Sequence, residues 1–291
     1  SNNSAGIKDP VVDALVEKLV YAPDRKGLIA AARALDRVLL YGDSQAFGWG
    51  VPETGRFSNL IETRSAGLEV WNLAVPGYGL DQEILAFERD GERFAADEVV
   101  LLVSVLTLSR LPHDYLYRKP KPKFVLDANG RLQLVPVAPG ANAWTNVLYE
   151  ALSDFYLPYF VDQQIAAARS AMLEPREGKD IARRVPPIGW GRLEQSLLER
   201  AHAAARSRGH RLTLLVNLPP TLETMKQRVR RYCDENAVGF LEIELPPPAE
   251  QHVHGARDNH WNVRANALIA DQLLAQLRAR AAAMPAARAA A

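Results

Sequence analysis

One cysteine, Cys233, in a chain of 291 residues leaves no partner for an internal disulfide. A fold stapled by bridges is excluded, and a buried thiol is the plain reading of that residue. The chain also lacks any apolar run of the ~18 residues needed to span a bilayer. Charge is close to balanced, with 35 Lys and Arg against 34 Asp and Glu. A net charge of +1 supplies no bulk field toward nucleic acid or a membrane surface, so neither is an expected partner. The "GYG" at 77–79 lacks the glycine spacing and the lysine of a phosphate-binding loop, and no cofactor is implied. The opening "SNNSAGIKDP" has neither an initiator Met nor the apolar core of a signal peptide. The chain therefore reads as trimmed, with a leader or anchor before Ser1, and so an extracytoplasmic location, left open.

What is present is the composition of a soluble globular protein, 48% hydrophobic and 24% charged. Helical spacing at 11–20 and in "GLIAAARAL" predicts helices ahead of the first strand, an extension over 1–36. Five short apolar runs follow, at 37–41, 68–73, 98–106, 211–218 and 239–245. They are apolar on both faces, as strands covered by helices on both sides must be. Amphipathic patterns between them predict helices at about 56–66, 80–91, 192–208, 221–235 and 261–280. Alternation of this kind predicts a three-layer α/β/α sandwich with a five-stranded, mostly parallel sheet. The third and fourth strands lie about 100 residues apart, too far for a simple crossover. The gap, about 112–190, holds a predicted hairpin around Asn129-Gly130 and a helical stretch beginning at Trp144. It is expected to elaborate a single domain with its core at about 37–280, followed by an Ala-rich tail at 281–291.

In an open parallel sheet ligands bind beyond the carboxyl ends of the strands, so polar residues there carry functional weight. Gly42-Asp43-Ser44 follows the first strand and "NLAVPGYG" the second; Thr107, Ser109 and Arg110 end the third; "RDNHWN", with Asp258 and His260, precedes the last helix. A serine hydroxyl becomes a nucleophile when a base takes its proton, and a histidine held by a carboxylate serves as that base. Backbone N–H groups must also meet the developing oxyanion, and glycine allows the close approach. Ser44, His260, Asp258 and the Gly77 turn supply those parts. Asp43 reads as a brace for its loop, Asn72 as a support for the turn before Gly77, and Asp81-Gln82 as caps for the next helix. Arg110 could meet an anionic substrate group, with a solvated surface role as its alternative. A metal reading of "HVHGARDNH", through His252, His254 and Asp258 or His260, has no second His or Cys cluster to support it, and none is expected.

"YGDSQAFGWGV", "VWNLAVPGYGLDQ" and "RDNHWNVRANALIADQL" resemble, in order, the first, second and last sequence blocks of the SGNH or GDSL hydrolase superfamily. The resemblance implies a flavodoxin-like sandwich and acyl-ester chemistry. It implies Ser44 as nucleophile, His260 as base, Asp258 as its orienting acid, and the Ser44 and Gly77 N–H groups as oxyanion donors. The implied substrate is a small ester, an O-acetyl group on a carbohydrate among the options. Two departures stand out. The third block has no Asn to complete the oxyanion hole, and Thr107 or a near neighbour occupies the matching position; losing one donor costs about 10²-fold or more in rate. The Asp-x-His-Trp spacing resembles that of relatives that O-acetylate polysaccharides. Acyl transfer to a carbohydrate and a weakly active glycan-binding protein are the competing expectations.

Overall fold

The computed structural model describes residues 36–65, 67–116, 119–137, 190–247, 250 and 260–282. The helices expected before the first strand, the helical stretch of the insertion, Asp258, His252 and His254 lie outside the described residues.

Strand β1 (Asp36–Tyr41) runs into a single helical turn, α1 (Ser44–Phe47), and then helix α2 (Phe57–Arg64). Next come β2 (Leu68–Asn72), α3 (Leu80–Asp90), β3 (Glu98–Ser104) and the short α4 (Val105–Ser109). Two small antiparallel pairs follow, β4 (Tyr115–Leu116) with β5 (Lys119–Pro120) and β6 (Lys123–Leu126) with β7 (Leu132–Val135). The chain returns through α5 (Arg192–Ser207), β8 (Arg211–Asn217), α6 (Glu223–Asn236), β9 (Gly239–Glu242) and α7 (Val263–Ala282).

The main sheet has the order β2-β1-β3-β8-β9, and every neighbouring pair is parallel. Period-two alternation divides its side chains between two cores. Leu39, Tyr41, Val99, Leu101, Val103, Leu214 and Val216 pack against α3, α5 and α6. Val38, Leu40, Val100, Leu102 and Leu215 pack against α2 and α7. All seven residues of β3 are buried, so the strand has no polar face to show. Cys233 belongs to the first core, and burial pushes its thiol up to about 12.

The 124–135 hairpin forms around Gly130, whose φ of 72° lies where glycine pays no steric penalty. One boundary departs from expectation: the run at 98–106 leaves the sheet at Ser104. A capping box turns the chain there, Ser104 Oγ accepting from Thr107 N at 3.2 Å and Thr107 Oγ1 accepting from Ser104 N at 2.9 Å.

Strand order reverses at β1, whose two sheet neighbours are reached by connections running in opposite directions. This opens a crevice at the carboxyl ends of β1 and β3.

Candidate active site

Gly42 makes the exit from β1 tight. A Cβ there would sit 2.4 Å from the Cβ of Ala46 and 3.1 Å from that of Leu102. Asp43 caps α1, its Oδ1 accepting from Gln45 N at 2.9 Å, and Ser44 opens the turn. The Ser44 hydroxyl lies 2.8 Å from His260 Nε2, although 216 positions separate the two residues.

His260 is moored from behind. Trp261 is buried in the second core and packs edge-on against Phe57, with ring centroids 6.4 Å apart. Asn266, fully buried on α7, donates to the Trp261 carbonyl at 3.0 Å and accepts from Phe57 N at 3.1 Å. Asn262 Oδ1 accepts from Ala265 N at 2.9 Å at the start of α7. The imidazole therefore has a fixed address relative to α2, the element that follows the nucleophile turn.

The loop after β2 is drawn onto the same edge. Val75 N donates to Gly42 O at 3.0 Å, and Asn72 reaches Ala46 O at 3.0 Å and Ser58 Oγ at 3.1 Å. Val75-Pro76-Gly77-Tyr78 closes with Tyr78 N donating to Val75 O at 3.1 Å, and Gly77 has φ 89°. Proline second and a positive-φ glycine third are the signature of a type II turn. Gln82 accepts from Gly79 N at 3.3 Å, starting α3.

Beneath this surface lies a buried set of charges. Arg110 Nη1 donates to Asp43 Oδ2 at 2.8 Å and to the Tyr78 carbonyl at 2.7 Å. Lys121 Nζ lies 2.6 Å from Asp81 Oδ2 and donates also to the carbonyls of Arg110 and His113, at 3.2 and 3.1 Å. Glu83 is fully buried beside them, with the Leu102 backbone as the hydrogen-bonding group at its carboxyl. Burial pushes its pKa well above the ordinary carboxylate range, and the negative charge of Asp43 pushes the same way. Burial therefore favours the neutral form of Glu83, while Asp43 with Arg110 and Asp81 with Lys121 balance in pairs.

Above the charges a cavity of about 650 Å³ opens to solvent, with Ser44, Gly77 and His260 in its wall. Apolar surface dominates the lining, with Trp49, Val75, Pro76, Leu106, Leu116 and Pro120, while Gln82, Arg110 and Lys121 also reach its wall. Trp49 stands between Gly48 and Gly50, both at φ 81°, half exposed and 6.2 Å from the His260 ring.

Two sequence expectations are corrected. Thr107 does not face the cavity: it is fully buried and its hydroxyl is committed to the Ser104 cap, with the carbonyls of Leu102 and Ser104 at 3.2 Å as acceptors. Leu106, one position earlier, lines the cavity instead and has no side-chain donor to offer. Nor is Arg110 a solvated surface residue: it is buried and paired with Asp43, and it contributes to the cavity wall. Sequence reasoning assigned no role to Trp49, Glu83, Leu106 or Lys121. The two positive-φ glycines around Trp49 were the signal available for that residue. Among the described residues no cluster of His, Cys, Asp and Glu could hold a metal ion, and no helix is long and apolar enough to cross a membrane.

The fold and site define a three-layer α/β/α protein with a serine–histidine pair at the switch point of a parallel sheet. Solved structures similar to the chain include an esterase, EstA, from Pseudoalteromonas sp., at 10% identity over 85% of this chain and 99% of that one, TM-score 0.48. An acetylxylan esterase from Geobacillus stearothermophilus matches at 12% identity over 83% and 94%, TM-score 0.47, and TesA at 13% over 84% and 99%, TM-score 0.47. No protein-family model matches the chain. Among curated proteins, the "Probable peptide-binding protein YejA" of Agrobacterium fabrum is 70% identical over 40 residues, and the "Uncharacterized protein y4wM" of Sinorhizobium fredii 62% over 40 residues. Each match spans 14% of this chain and 6% of the curated protein.

Proposed function

We propose that the protein is a serine ester hydrolase of the SGNH type, with Ser44 as nucleophile and His260 as general base. The observation that carries this reading is the 2.8 Å contact between Ser44 Oγ and His260 Nε2 in the wall of an open cavity at the carboxyl edge of a parallel sheet. A serine and a histidine from opposite ends of the chain meeting there in hydrogen-bond geometry have the arrangement that nucleophilic catalysis requires.

His260 accepts the Ser44 proton as Oγ attacks the ester carbonyl carbon, and the carbonyl oxygen becomes an oxyanion. The backbone N–H groups of Ser44 and Gly77 are its donors in this reading. Collapse expels the alcohol, protonated by the imidazolium, and leaves an acyl-Ser44 ester. A water deprotonated by His260 attacks that ester, the acid departs, and Ser44 recovers its proton. Asp258 is the carboxylate proposed to orient the imidazole. An O-acetyl group on a carbohydrate remains the substrate suggested by the sequence blocks, while the apolar walls also suit an acyl group larger than acetyl. The short Ser44–His260 contact argues against a purely glycan-binding role.

The test is labelling by a fluorophosphonate together with turnover of an aryl acetate, each compared with Ser44→Ala. Labelling at Ser44 and turnover that both vanish in the variant are expected. Wild-type protein that neither labels nor turns over, behaving like the variant, would refute the proposal.

A further inference from the structure

Arg110 ties together two pieces of chain that the ester-hydrolase reading needs in register. A single nitrogen, Nη1, carries two hydrogens, and both are used: one reaches Asp43 and the other the Tyr78 carbonyl. Asp43 immediately precedes Ser44, and its second oxygen accepts from the backbone of Gln45, immediately after Ser44. The carboxylate therefore straddles the nucleophile. Tyr78 immediately follows Gly77, so its carbonyl fixes the far end of the Gly77 turn. Gly79 leaves room for this approach, since a Cβ there would lie 3.1 Å from Arg110 Cβ.

The bridge is itself held. Lys121 donates to the Arg110 carbonyl while paired with Asp81. Side-chain exposures are 8% and 0% for Arg110 and Asp43, and 4% and 0% for Lys121 and Asp81. Water does not screen such pairs, and charge-assisted bonds of this kind are shorter and stronger than neutral ones. At the cavity wall, the Leu106 side chain offers no donor. In the ester-hydrolase reading the backbone N–H groups of Ser44 and Gly77 meet the oxyanion, and their spacing is only as good as the register of two turns.

We propose that Arg110 is a positioning residue that sets the separation between the Ser44 and Gly77 N–H groups by bridging Asp43 and the Tyr78 carbonyl. It acts through those turns, with its charge balanced by Asp43. The inference rests on the ester-hydrolase reading.

The test uses the full chain with an aryl acetate, comparing Arg110→Lys, Gly77→Ala and their combination. Lysine keeps the charge but loses the planar fork and its reach. Arg110→Lys is expected to lower kcat about 10²-fold, the cost of a misplacement on the order of 1 Å, while KM and the thermal midpoint stay near wild type. Because both changes disturb one turn, the double variant should be less impaired than the product of the two single effects. If Arg110→Lys does not fold, Asp43→Asn with Arg110→Met removes both buried charges together, and the same loss of kcat at unchanged KM is expected. Wild-type kcat in the folded variant, a raised KM at unchanged kcat, or full additivity with Gly77→Ala would each overturn the proposal. Wild-type protein inert toward the ester and the fluorophosphonate would instead strike the reading beneath it.

Discussion

Glu83→Gln tests the buried charge set through its pH dependence. Glu83 is fully buried and faces the negative Asp43, and both push its pKa up, favouring the neutral form. In the unfolded chain it ionises near 4.5, while in the folded protein its pKa lies well above that value. Above pH 4.5 the unfolded state has released this proton and the native state keeps it, so the native state binds more protons and stability falls as pH rises. One proton sets a slope of about 1.4 kcal/mol per pH unit. This contribution is complete below the unfolded pKa and is lost as pH climbs toward the folded one. Glutamine keeps the shape and cannot ionise, so the slope should vanish from the variant. Asp43, Asp81 and Arg110 stand around the same group in both proteins, and the histidines are shared, so their contributions largely cancel in the difference. Urea unfolding of both proteins between pH 5 and 8 is the assay. Above the unfolded pKa the stability of wild type relative to Glu83→Gln should fall as pH rises, by at most about 1.4 kcal/mol per pH unit. Parallel pH profiles would refute a neutral Glu83.

His260→Ala should lower kcat/KM for an aryl ester by about 10²–10⁴-fold with little change in KM; a loss of less than about tenfold would mean that the imidazole is not the base. Leu106→Asn places an amide donor on the cavity wall and should raise kcat at least about tenfold, part of the 10²–10³ that one oxyanion donor carries. Unchanged steady-state kinetics in a folded Leu106→Asn protein would show that this position does not face the oxyanion.

The sheet was legible because β1 and β3 are apolar on both faces, a pattern that an exposed strand does not share. The end of β3 was not. Val105 and Leu106 are as apolar as the strand before them, and a short apolar run fits a strand or a buried helical turn equally well. The Ser104–Thr107 cap decides it, and with it which side chain reaches the cavity: polarity points to Thr107, while the helical turn presents Leu106. Ser44 and His260 could be named from separate sequence blocks because each block carries its own glycines or aromatic neighbour. Arg110 could not be placed the same way. A charged residue after a strand reads as solvated until its partner is known, and Asp43 lies 67 positions earlier. Lys121 sits in a proline-punctuated stretch whose sequence gives no hint of Asp81, 40 positions before it.

Trp261 has a consequence beyond packing. The indole and the first turn of α7 follow the imidazole without a spacer, so the rotational phase of the last helix and the aim of the base are one variable. Adding or deleting a single residue between His260 and Val263 would turn the helix by about 100° relative to the ring, since 3.6 residues complete a turn. Either the buried face of α7 or the contact with Ser44 would have to be surrendered. This short link is therefore intolerant of indels even where its side chains could be exchanged.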